Sequence, residues 1–126
     1  MNHTLSAREL FERYKTEINL HDFTRLEPLI SAECQFWFSS GTYQGLQEVR
    51  NAFEKTWNLI QEEVYGVTNV NWLAESQAAA VCTYTFTWHG LIDGKRQEGT
   101  GRGTSCFRLE GDGWKIIHEH LSHFPK

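Results

Sequence analysis

From Val64 onward the sequence pattern takes a period of two, clearest from Ala78 to His89, and this constrains the fold more than any other feature. Val64 to Ala74 and Ala78 to His89 read as two long strands joined by Glu75-Ser76-Gln77, and Asp93-Gly94 marks the next hairpin. In the second strand Ala78, Ala80, Cys82, Tyr84, Phe86 and Trp88 share one face, which predicts core and cavity wall. Ala79, Val81, Thr83, Thr85, Thr87 and His89 share the other. A Thr-rich face suits solvent or a flat subunit contact, because β-branched Thr fills a pleated surface without leaving a large apolar patch.

The closing segment, Gly103 to Phe124, predicts a further hairpin with a turn in Gly111-Asp112-Gly113. Strict alternation puts Trp114, Ile116, His118, His120 and Ser122 on one face of its second strand and Lys115, Ile117, Glu119, Leu121 and His123 on the other. A two-residue Asp112-Gly113 loop sets Glu110 opposite Lys115, Leu109 opposite Ile116, Phe107 opposite His118 and Ser105 opposite His120. The alternative even-numbered loop sets Arg108 against Lys115, a like-charge pair. The favoured register grades one face from Leu, Ile, Phe and Trp to His, His and Ser, as a pocket with a dry floor and a few polar groups requires.

The first half of the chain is helical with one strand. Ser6-Ala7-Arg8-Glu9 forms a capping box, so the first helix begins at Ala7, and Leu10, Phe11, Tyr14 and Ile18 lie on one of its faces. Asp22 caps a short second helix that Pro28 must end or bend. Cys34 to Phe38 is strand-like, ended by Ser39-Ser40-Gly41. After Gly45 a third helix is expected from Leu46 to about Glu62, with Leu46, Val49, Phe53, Trp57 and Ile60 on its apolar face. Three N-terminal helices packed on a curved, mostly antiparallel sheet, with a cavity between them, make an α+β architecture. The 126 residues suffice for one such domain spanning 1–126.

Composition narrows the function classes. The net charge of −4, with acids and bases interspersed, argues against nucleic acid and anionic membranes as partners. Cys34, Cys82 and Cys106 are widely spaced in apolar runs without a CxxC, which fits small buried residues in a reducing compartment. With no apolar leader and no membrane-length run, a cytoplasmic location is expected. Five Trp, eight Phe and four Tyr supply enough aromatic surface to line a cavity or a subunit contact as well as a core.

The chain resembles the nuclear transport factor 2-like superfamily, in particular its SnoaL-like, steroid-isomerase-like branch. The likeness rests on RYKTEINLHDFTRLEPLI, on GTYQGLQEVRNAFEKTW after the short strand, and on the closing GRGTSCFRLEGDGWKIIHEHLSHF. It implies a cystatin-like cone, a homodimer formed through the sheets, and a pocket between helices and sheet. Such proteins include isomerases, cyclases, dehydratases, hydrolases and the association domain of a calmodulin-dependent kinase, so the fold leaves the function open. The oxyanion-hole tyrosine of the steroid isomerases matches Tyr14. Their general-base aspartate matches Phe38, and their second acid falls near Ser105 or Cys106, so isomerase chemistry of that type has no base here.

Candidate ligand-binding residues are therefore Tyr14, Trp37, Trp57, Trp88, Ser105, His118, His120 and Ser122, with His120 and Tyr14 as candidate catalytic groups. Two His on one face are too few for a metal, so neither a metal nor a cofactor is expected. Arg102, within Gly101-Arg102-Gly103, falls on the face opposite His120, which fits a surface or dimer contact. The expectation is a protein that binds a small apolar or cyclic molecule in a mainly apolar pocket. The alternatives are an acid/base enzyme using His120 and a non-catalytic association module.

Overall fold

The computed structural model describes residues 4–125. Helix α1 (Ala7–Glu17) starts where the capping box places it, with the Ser6 hydroxyl accepting from the Glu9 amide and the Glu9 carboxylate accepting from the Ser6 amide. Its buried residues Leu10, Phe11 and Tyr14 face the sheet, followed by Ile18 in a 3₁₀ turn. Helix α2 (Phe23–Leu26) is capped by Asp22, and Pro28 sits in the 3₁₀ turn that ends it, where its missing N–H costs little. Strand β1 (Ile30–Phe38) turns through Ser39-Ser40 into β2 (Gly41–Gln44), and helix α3 (Gly45–Leu59) follows. Strands β3 (Gln61–Glu75), β4 (Ala79–Ile92), β5 (Lys95–Glu110) and β6 (Gly113–His123) complete the chain.

The sheet has six strands in the order β2-β1-β6-β5-β4-β3. It is mixed: β1 runs parallel to β6, and every other pair is antiparallel. Strand β1 begins at Ile30 rather than Cys34, and β2 and α3 also differ from the sequence reading. Strand β2, only four residues long, starts at the glycine of what reads as a terminating Ser-Ser-Gly, too short a run to show a period. Helix α3 stops at Leu59 rather than Glu62, because Ile60 is already extended and Gln61 begins β3. Gly90 on β4 makes that early turn possible, since a methyl group there would run into Ile60 and the Gln61 carbonyl.

Three further glycines shape the cone. Gly99, Gly101 and Gly103 of β5 lie directly opposite Trp88, Phe86 and Tyr84 of β4. Each aromatic ring lies across the glycine it faces, in the space a Cβ would take. This alternation lets large rings from β4 fold down over β5 on the inner face. The outer face keeps the Thr row of β4, with Thr87 exposed and Thr83 and Thr85 half-buried. Among the described residues, Cys34 and Cys82 are buried, Cys106 is half-buried, and all three are free thiols.

The β5–β6 hairpin corrects the expected register. Its turn is Gly111-Asp112, so Leu109 pairs with Trp114, Arg108 with Lys115 and Phe107 with Ile116. The like charges part toward separate partners. Arg108 binds Glu110 at 2.6 Å and Glu33 at 2.8 Å, while the Lys115 ammonium donates to the Pro28 carbonyl at 2.7 Å. Ile117 is then an extra residue: the ladder resumes with Cys106 opposite His118 and Ser105 opposite Glu119. Such a β-bulge shifts the side-chain alternation by one.

Candidate functional site

Because of the bulge at Ile117, the inner face of β6 carries Ile116, then Glu119, Leu121 and His123, while His118, His120 and Ser122 face outward. The expectation that His118, His120 and Ser122 line the pocket is thereby overturned in its geometry. His120 and Ser122 border a shallow trough of about 550 Å³ on the outer sheet face, together with Arg102. His118 is tied by its Nδ1 to the Gln35 carbonyl at 2.5 Å. Trp37, 41% exposed, is also outside, edge-on to the His118 and His120 rings at 5.0 and 5.4 Å.

The cone itself holds a cavity of about 260 Å³ between α3 and the inner face of the sheet. Trp57 and Trp88 line it, as do Phe38, Tyr65 and Phe86. Its polar groups include Glu119 and Glu63. Trp57 is fixed from behind by His21, whose ring stacks on it at 5.3 Å and whose Nε2 meets the Glu63 backbone carbonyl at 2.9 Å. Phe38, which stands where the steroid-isomerase resemblance calls for a base, is part of the apolar wall.

Glu119 is the group that gives this cavity its chemistry. It is 2% exposed, and among the described residues it is the one charged side chain in the buried core. Tyr14 of α1 donates to its Oε2 at 3.3 Å and Tyr84 of β4 lies 3.5 Å from Oε1. The Tyr84 hydroxyl also bonds the buried Ser105 hydroxyl at 2.8 Å. Tyr14 and Ser105 thus stand behind Glu119 rather than on the cavity wall. Burial pushes Glu119 up to about 7, against a smaller downward pull from the two tyrosine hydrogen bonds. A carboxyl poised near neutrality can both take and return a proton.

Glu63, which also lines the cavity, is likewise raised to about 7, by burial alone. Tyr65 is held protonated by burial and by the neighbouring Glu119 and Glu63 charges, which leaves a hydroxyl donor on the wall. The described residues contain no group of three or more His, Cys, Asp or Glu suited to a metal ion. They also contain no helix long and apolar enough to cross a membrane.

The model of the SnoaL-like domain family matches residues 7–126, nearly the whole chain. The chain belongs to the SnoaL-like domain family. Its nuclear transport factor 2-like, cystatin-like fold is shared with solved structures. A nuclear transport factor 2 superfamily protein from Salmonella enterica has a TM-score of 0.86 at 22% identity, with 94% of this chain and 88% of that one covered. A Xanthomonas campestris protein provisionally named a calcium/calmodulin dependent protein kinase II association domain gives 0.82 at 14%, covering 99% and 96%. A Novosphingobium aromaticivorans protein provisionally named a scytalone dehydratase gives 0.79 at 12%, covering 94% and 81%. No curated protein matches the sequence. These structures share the fold under unlike names, and the fold leaves the task open.

Sequence reasoning missed Glu119 because it carried strict alternation through Ile116-Ile117. Two adjacent isoleucines in a strand that otherwise alternates are the signal that marks the bulge.

Proposed function

We propose that this SnoaL-like protein binds a small, largely apolar ring compound in the cone and moves a proton on it with Glu119. The observation that carries the reading is the fully buried Glu119 carboxyl, held by Tyr14 and Tyr84 and opening onto an aromatic-walled cavity. Above neutrality the ionised Glu119 removes a proton from a carbon next to a carbonyl. The C–H electron pair moves toward the carbonyl oxygen, and the carboxylic acid so formed returns the proton to another atom of the same molecule. Tyr65 supplies a hydroxyl toward the developing oxyanion, while Tyr14 and Tyr84 orient the carboxyl. Glu119 replaces His120 in the acid/base role.

The test uses a panel of small cyclic ketones and amino ketones in heavy water, with exchange of the protons next to the carbonyl followed by NMR. Exchange catalysed by the native protein and lost in Glu119→Gln supports proton transfer. Saturable binding without exchange for every compound leaves a ligand-binding protein and removes the enzyme.

The outer sheet face favours a second, compatible role as the surface through which two copies pair. It combines the exposed Trp37, the Thr row of β4 and a trough of about 550 Å³. Light scattering of the purified chain checks this, and a monomer at all concentrations would remove it.

A further inference from the structure

We infer that the natural occupant of the cone is a small organic cation, a protonated amine carried on a flat apolar ring, held between Glu63 and Glu119. The inference rests on the reading of the cone as a ligand site and adds the charge of the ligand.

Charge balance is the first argument. Glu63 and Glu119 both border the cavity, and among the described residues that line it there is no Lys or Arg. Arg102, the one arginine in the Gly-rich stretch of β5, borders the outer trough instead. A carboxylate or phosphate ligand would lie beside two acids, with His123 the one basic side chain among the described lining residues, whereas an ammonium group would ionise and pair with an acid it approaches.

Unused bonding capacity is the second. A carboxylate can accept about four hydrogen bonds. The Glu119 oxygens have only the long contacts from Tyr14 and Tyr84, at 3.3 and 3.5 Å, with Tyr65 as a further electrostatic neighbour. The Glu63 carboxyl has no hydrogen bond or ion pair with any described residue, and burial is the sole cause of its raised pKa. Two half-served carboxyls facing one cavity are an acceptor set that awaits a donor.

The walls are the third. Trp57, Trp88, Tyr65 and Phe38 line the cavity, and an aromatic ring attracts an alkylammonium group to its face, the negative end of its quadrupole. A cavity of about 150 Å³ accommodates benzene. The cavity of about 260 Å³ therefore takes one or two fused rings with a short amine-bearing arm.

The experiment is calorimetric titration of the full chain with three probes on one skeleton: 2-aminoindane as cation, 2-indanol as neutral match and indane-2-carboxylate as anion. The amine is expected to bind about tenfold tighter than the alcohol, with the carboxylate weakest. In Glu63→Gln the amine preference should shrink while alcohol binding is unchanged, and with Glu119→Gln added the amine should fall to the affinity of the alcohol. Near pH 7 amine binding should also release protons, seen as a binding enthalpy that varies with the ionisation heat of the buffer, because the bound charge draws Glu63 and Glu119 into the ionised form. Glu63, His123, Cys82 and the tyrosines are the described titratable groups around Glu119. Equal binding of alcohol and amine, an amine preference that survives loss of both carboxylates, or tightest binding of the carboxylate overturns the cation and leaves the cavity as a ligand site. Failure of all three probes to bind overturns both.

Discussion

The Tyr14 hydroxyl and the Glu119 carboxylate, 105 positions apart in the chain, meet at 3.3 Å inside the cone, and this bond joins the first helix to the last strand. It is one of two tyrosine contacts that hold the buried carboxyl below the pKa that burial alone would give. Tyr14→Phe removes one of them without changing the ring. The Glu119 pKa should then rise above about 7, and unfolding free energy at pH 8 should fall by ~1–2 kcal/mol. Carbon-13 NMR titration of the glutamate carboxyls reads the first and urea denaturation the second. An unmoved pKa would show that the contact carries no electrostatic weight.

Glu119 also dictates how stability varies with pH. In the unfolded chain a glutamate ionises near its ordinary 4.5, whereas the folded protein keeps Glu119 protonated up to about 7. Between these values the folded state binds more protons than the unfolded one, so stability is full below about pH 4.5, declines as pH rises toward 7, and then levels off. The loss from this one group is about 3 kcal/mol. Glu63, also raised to about 7, acts in the same direction. Glu119→Gln keeps the shape of the neutral acid and removes the decline. Its stability relative to native should therefore be higher at pH 8 than at pH 5 in denaturant titrations at the two values. A difference that does not change with pH contradicts the raised pKa.

How far the sequence reveals this molecule depends on where its patterns are continuous. The capping box at Ser6, the Asp22 cap, the apolar face of α1 and the two faces of β4 follow from unbroken periods, and the structure has them. The β5–β6 hairpin was less legible. Pair energies favoured Glu110 opposite Lys115 over Arg108 opposite Lys115, yet side chains as long as these reach partners outside the ladder, so the like-charge pair costs little. The bulge at Ile117 then turned the face that looked like a site outward and brought Glu119 in, and one inserted residue inverts every assignment beyond it. Within the candidate site, Trp57 and Trp88 were readable from position, and Tyr14 only as an inward-facing residue.

The glycine ladder of β5 should be as sensitive as a packed core. Gly103→Ala places a methyl group in the Tyr84 ring, and Tyr84 in turn holds Ser105 and lies against Glu119. Overpacking of this kind costs ~1–3 kcal/mol. Gly99→Ala, against Trp88, should destabilise comparably and also reshape the cavity wall. Thr87→Ala, on the exposed face of the same sheet, should stay within about 0.5 kcal/mol of native. Urea midpoints of the three variants check the order, and a neutral Gly103→Ala would mean that Tyr84 has room to move aside.

The histidines offer the sharpest separation between the two faces of the sheet. If chemistry resides in the cone, His118→Ala and His120→Ala leave catalysed proton exchange within about twofold of native, whereas Glu119→Gln lowers it by ~100-fold or more. The reason is placement: the His120 ring lies on the outer face beside Trp37 and the trough, with the full thickness of the sheet between it and the cavity. The same two variants should act on self-association, because they strip the rings that pack edge-on to Trp37 at 5.0 and 5.4 Å. Exchange kinetics and light scattering on one set of proteins read both effects. Loss of exchange in His120→Ala with an unchanged oligomeric state would return the site to the outer face and sink the assignment of Glu119.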